Sequence, residues 1–241
     1  MMSLGNDLNI TFLRLIFLVL LILSVDQSEA SAMSKKKYIV LLGASVGQAW
    51  KIDALPERLK DNSDAGHYRF EYVGDFQFDK TDKLETILTR KKNRPDVIIL
   101  KECAVYFPGD LEKYKGLMKE WIADCRQAGV IPIPTTVVPV VRESGIVTLG
   151  KDLIKSIIGR PISGKRLEEI LQYNDWIKTY AINEKLKVLD LEAVVRISRE
   201  DRSLRLDLHS GDGIHLNAAG YALLDKIVIP TLNEAVKVKY K

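Results

Sequence analysis

From residue 37 onward the chain alternates short apolar runs with amphipathic stretches, and few folds accept that pattern. "KYIVLLGAS" (37–45), "YRFEYVGD" (68–75), "PDVIILKE" (95–102), "VIPIP" (130–134) and "KVLDL" (187–191) are short and apolar or β-branched. Each reads as a strand, most of them buried on both faces. "IDALPERLKD" (52–61), "KTDKLETILTRKK" (80–92), "DLEKYKGLMKEWIADCRQAG" (110–129) and "GKRLEEILQYNDWIKTYAINEK" (164–185) read as the helices between them. Gly129 suits a helix C-terminal cap. "NAAGYALLDKIVIPTLNEAV" (217–236) is the last helix, with a bend expected before Pro230. Buried strands separated by helices predict a parallel sheet covered on both faces. Right-handed crossovers then give a doubly wound, flavodoxin-like three-layer α/β/α sandwich with a five-stranded parallel sheet. No linker or internal repeat divides residues 33–241, so one domain is expected. The stretch from 135 to 163 is too long for a plain connection and reads as a lid or binding loop.

Residues 1–32 differ in kind. "LIFLVLLIL" (15–23) is nine apolar residues in a row, and "ASA" (30–32) has the small-x-small form of a signal-peptidase site. A bilayer span takes about 20 apolar residues. The segment therefore reads as a signal peptide cut after Ala32, with an uncleaved N-terminal anchor as the alternative. A secreted or periplasmic location follows, with no membrane span in the mature chain.

The rest of the composition is that of an ordinary globular domain, 46% hydrophobic and 28% charged. The net charge of +4 is spread along the chain, which argues against a nucleic-acid footprint. No zinc-ligand spacing appears, and no cofactor or metal is implied. The two cysteines, Cys103 and Cys125, fall at opposite ends of one strand–helix unit. A helix of about 18 residues spans about 27 Å, while a disulfide needs Cα atoms within about 7 Å, so both are expected unpaired.

In a doubly wound sheet, ligands sit at the carboxyl ends of the strands. "GASVG" (43–47) leaves Ser45 on a tight turn at such an end. Capping the next helix is the plain role of a serine there. "SGDGIHLNAAGY" (210–221) adds an acid and a base, Asp212 and His215, three residues apart. A serine hydroxyl needs a base to become a nucleophile. A histidine base in turn needs an acid to hold its tautomer, and residues i and i+3 on one turn share a side.

Taken together, these motifs resemble the SGNH (GDSL) hydrolases. "LLGASVG" is similar to the family's first block, with Gly-Ala-Ser for Gly-Asp-Ser, and "DGIHLNAAGY" to its last. "TTVVP" (135–139), "YNDWIKTYA" (173–181) and "VLDL" (188–191) keep the family's order between them. The resemblance spans about 37–238. It implies Ser45 as nucleophile, His215 as general base and acid, and Asp212 as the group that orients it. It also implies a backbone N–H from Gly74, in "YVGDF", to hold the oxyanion.

One block departs from the family. The usual Gly-x-Asn-Asp after the third strand is replaced by "LKECAVYFPGD" (100–110), which removes the asparagine donor. Glu102 is the expected substitute, as a protonated donor or as the partner of a substrate hydroxyl; a salt bridge at the rim is its plain reading. Lys101 could supply charge, Cys103 reads as a small apolar filler, and His67 and His209 as ordinary loop residues. The expected activity is hydrolysis of a carboxylic ester, acetyl or carbohydrate. The alternatives are an acyltransferase acting on a cell-surface polymer and a catalytically vestigial binding module.

Overall fold

A computed structural model describes residues 36–142 and 163–239. The expected signal segment and most of the 135–163 insertion lie outside the described residues. β1 (Lys37–Gly43), β2 (Tyr68–Gly74), β3 (Val97–Leu100) and β4 (Ile131–Pro134) pair in parallel in the order β2-β1-β3-β4. Leu42 lies opposite Val73 and Leu100, and Leu100 lies opposite Pro134. The ends of all four strands therefore open on one edge.

The helices are α1 (Ser45–Trp50), α2 (Leu55–Arg58), α3 (Thr81–Leu88), α4 (Leu111–Gln127), α5 (Ser163–Asn183), α6 (Leu191–Val195) and α7 (Ala218–Lys239). Strand side chains alternate between two apolar layers, as the two-residue period requires. Ile39, Leu41, Val97 and Ile99 pack with Trp50, Leu55, Leu224 and Val228, from α1, α2 and α7. Val40, Leu42, Ile98 and Leu100 pack with Leu84, Met118, Trp121 and Ile170, from α3, α4 and α5. Both cysteines are free and buried, Cys103 in the first layer and Cys125 in the second. Pro230 is accommodated inside α7, which continues to Lys239.

Among the described residues the fifth strand does not form, and the sheet has four. "KVLDL" contributes one isolated parallel bridge, Leu189 to Thr135. Two prolines explain it. The N–H groups of Ile131 and Thr135 point to β3, bonding Asp96 and Leu100. Alternation turns Pro132 and Pro134 toward the fifth segment, and neither has an N–H to give. The first donor on that side is Thr136, which bonds the Leu189 carbonyl at 3.2 Å. By then Asp190 is already capping α6.

A polar latch joins α1 and α2 to α7. Asp225, on α7, accepts from Trp50 Nε1 at 2.7 Å and from Arg58 Nε at 2.7 Å. It ties α1, which begins at Ser45, to the helix that follows His215. Tyr68 and Asn233 make a second tie at 2.5 Å.

Candidate active site

β1 ends at Gly43, and Ser45 opens α1 only two residues later. The turn is braced from below by a residue the sequence reading passed over. Tyr72 on β2 points its hydroxyl at the carbonyls of Gly43 and Ala44, at 3.2 and 3.1 Å. Two glycines make room for its ring. A Cβ on Gly47 would sit 3.1 Å from Tyr72 Cε2, and one on Gly74 would sit 2.9 Å from the hydroxyl. Gly74 itself ends β2 directly opposite Gly43, beside the turn that carries Ser45.

Asp212 and His215 come from the loop before α7. Gly211 and Gly213 hold positive φ angles of 116° and 74°, which glycine adopts without steric cost. His209 organises this turn, its Nδ1 accepting the N–H of Gly211 at 2.9 Å. Asn217 caps α7 by accepting from the N–H of Gly220 at 3.0 Å. The Asp212 carboxylate closes on itself: Oδ1 accepts from the backbone N–H of Ile214 at 2.9 Å and of His215 at 2.8 Å.

The two segments meet. Ser45 Oγ lies 2.9 Å from His215 Nε2, and His215 Nδ1 lies 2.5 Å from Asp212 Oδ2. The run of three side chains bridges 170 residues of sequence. Burial works against the charge on Asp212, but the hydrogen bonds from His215 and the two backbone N–H groups hold its carboxyl well below the usual range. The pair stays open to water, the side chains of His215 and Asp212 being 32% and 47% exposed. Among the described residues, no group of His, Cys, Asp and Glu could hold a metal ion.

Solved structures with the same arrangement of elements exist. A GDSL-like lipase from Bacteroides thetaiotaomicron superposes with a TM-score of 0.60 at 15% identity, over 87% of this chain and 96% of its own. The chain has the SGNH hydrolase fold. A catalytic mutant of an acetylxylan esterase from Geobacillus stearothermophilus matches at 0.59 and 11% identity, over 83% of this chain and 95% of its own. An acetyl esterase mutant solved with acetate matches at 0.54 and 15%, over 83% and 98%. No family model and no curated protein matches the chain by sequence.

On this SGNH scaffold, Glu102 is not where the sequence reading put it. Its side chain is 1% exposed and bonds Lys80 Nζ at 2.7 Å, itself 1% exposed. The cause is strand alternation: Cys103 belongs to the Ser45 layer, and Glu102 points to the other, where Lys80 lies over Phe78, Tyr106 and Trp121. Burial pushes the Glu102 carboxyl up to about 7, against the pull of Lys80. Lys101 is also buried; its Nζ donates to the Glu102 carbonyl at 3.0 Å, and burial pulls its pKa down. The residue that reaches the site is Cys103, with Sγ 3.7 Å from Ser45 Oγ. Counting two residues on from Lys101 along "LKECA" would have found it. A cavity of about 220 Å³ beside Val130, Ile131 and Leu186 opens at the amino end of β4, the edge opposite Ser45.

Proposed function

We propose that the protein is an exported serine hydrolase that cleaves a small carboxylic ester, acetyl or carbohydrate. Ser45 is its nucleophile, His215 its general base and acid, and Asp212 the carboxylate that orients the ring. The observation that carries the reading is the hydrogen-bonded run Ser45–His215–Asp212 at the carboxyl edge of the sheet. The acetylxylan esterase and the acetyl esterase among the structural neighbours support the substrate class. The apolar run at 15–23 and the "ASA" that follows support export.

His215 takes the Ser45 proton as Oγ attacks the acyl carbon, then gives it to the departing alcohol. Asp212 holds the Nδ1 hydrogen and balances the imidazolium. The N–H groups of Ser45 and Gly74 receive the oxyanion. Glu102 has no part in this, its carboxylate being committed to Lys80 on the other face.

A fluorophosphonate probe tests the reading. Ser45 should be labelled in the wild type, and Ser45→Ala should lose both the label and hydrolysis of p-nitrophenyl acetate. A folded wild type that takes no label would leave the binding-module alternative. A mature N-terminus at Met33, read by mass spectrometry of the secreted protein, tests export.

A further inference from the structure

The Cys103 thiol stands beside the nucleophile with no role in the run of three side chains. Its Sγ lies 3.7 Å from Ser45 Oγ, on a side chain with no exposed surface. The directions of the neighbouring hydrogen bonds decide what that contact is. The Asp212 carboxylate accepts two backbone N–H groups through Oδ1 and faces His215 Nδ1 through Oδ2. An ionised carboxylate can only accept, so Nδ1 carries the hydrogen. In the neutral ring, Nε2 then offers a lone pair, and it takes the Ser45 hydroxyl hydrogen. That hydroxyl has no second hydrogen to give, so the hydrogen between sulfur and oxygen comes from the thiol.

Resting on the serine-hydrolase reading, we propose that Cys103 is a further catalytic residue, which donates its S–H to Ser45 Oγ and speeds release of the serine from the acyl-enzyme. In acylation Oγ bonds the acyl carbon, and its proton passes through Nε2 to the departing alcohol oxygen as that C–O bond breaks. In deacylation a water oxygen bonds the same carbon and gives its proton to Nε2. The C–Oγ bond then breaks, and the proton returns to Oγ. The thiol proton stays on sulfur throughout. An ester oxygen is a poor acceptor, so the S–H contact is weak in the acyl-enzyme and strengthens as charge gathers on the departing Oγ. An interaction that strengthens toward the transition state lowers that barrier. The same bond also stabilises the resting hydroxyl, so attack gains less from it than release does. The two half-reactions therefore respond unequally, deacylation more than acylation, which a packing role would not produce.

Cys103→Ala should lower kcat for p-nitrophenyl acetate by about three- to tenfold, the range of one modest hydrogen bond. KM should fall with it, kcat/KM should drop less than kcat, and a burst of nitrophenol approaching one equivalent should appear. Cys103→Ser, which keeps a donor, should recover part of kcat. Equal loss of kcat and kcat/KM, no change in either, or a Cys103→Ser no better than alanine would each overturn the proposal. An infrared measurement decides it even if those variants fold poorly. The chain has two cysteines, so in a Cys125→Ala background the S–H stretch belongs to Cys103. Ser45→Ala removes the acceptor and should shift that band to higher frequency; an unmoved band overturns the donor assignment. If the wild type takes no fluorophosphonate label, the serine reading fails. If it is labelled at Ser45 while the Cys103 variants turn over like wild type, this inference alone fails.

Discussion

Glu192 and Glu102 are both shut away from water, yet their carboxyls are driven in opposite directions. Burial alone would raise both. Around Glu192 it is outweighed by Arg202 at 2.5 and 2.7 Å, Lys178 at 3.4 Å and Arg196 at 3.1 Å. Its carboxyl is held down at about 2. Among the described residues Glu102 pairs with one cation, Lys80, with a weaker pull from Lys101, and its Oε1 has no partner; its carboxyl rises to about 7. The presence of an ion pair does not decide the outcome. The number of charge-assisted donors set against the loss of water does. Asp212 makes the same point at the candidate site, where a hydrogen bond from His215 and two backbone N–H groups together outweigh the burial that works against its charge.

The sharpest contrast lies between the open acid and the buried ones. Ser45→Ala or His215→Ala should reduce kcat/KM on p-nitrophenyl acetate by on the order of 10⁴-fold or more, with the urea midpoint little changed. Asp212→Asn should cost on the order of 10³- to 10⁴-fold by spoiling the tautomer. Glu102→Gln should leave the same assay within about threefold if the glutamate is structural; a loss like that of Asp212→Asn would place it back in the mechanism.

Next in size is stability. Glu192→Ala should cost about 3 kcal/mol in urea unfolding, because it removes the carboxylate shared by Arg202, Arg196 and Lys178 and leaves Arg202 with Asp175 alone. Glu102→Gln should cost less, about 1–2 kcal/mol at pH 7, since the amide oxygen can still accept from Lys80. Lys80 keeps the carbonyls of Gln77 and Phe78 at 2.8 and 3.0 Å. Equal losses at the two sites would erase the distinction between them.

Their pH responses should run in opposite senses. Glu102 binds its proton more tightly in the folded state, at about 7 against 4.5 for the unfolded chain. Its contribution is full below 4.5 and is lost as pH rises through 7. The slope reaches at most about 1.4 kcal/mol per pH unit. Glu192 binds its proton more weakly when folded. Its contribution is present above 4.5 and lost as pH falls toward 2. Urea midpoints from pH 5 to 8 should therefore fall less steeply in Glu102→Gln than in wild type. Parallel curves would contradict the raised carboxyl.

The smallest expected effect is at the turn under Ser45. Tyr72→Phe should lower stability by about 1 kcal/mol and kcat by a few-fold, since the hydroxyl braces two carbonyls. Gly74→Ala should do more, because its Cβ would press on that hydroxyl at 2.9 Å.

Local pattern carried a large share of this protein. Runs of valine, isoleucine and leucine marked β1 and β3, since a strand buried on both faces has few other compositions, while β2, at the sheet edge, showed as the alternating "YRFEYV". The spacing of Asp212 and His215 marked one half of the site, because a single turn brings i and i+3 together. The sequence also held the evidence against a fifth strand, in Pro132 and Pro134. Reading it required knowing which neighbour each proline faces, and that is a property of the sheet. The same holds beyond the third strand. Glu102 and Cys103 are adjacent letters, and which of them reaches Ser45 depends on the face each side chain takes as β3 ends. The chain could name a serine, a histidine and an acid. Only the tertiary structure sets Ser45 and His215, 170 residues apart, at 2.9 Å, because the paired strands and the Asp225 latch hold the first turn of α1 against the loop that enters α7.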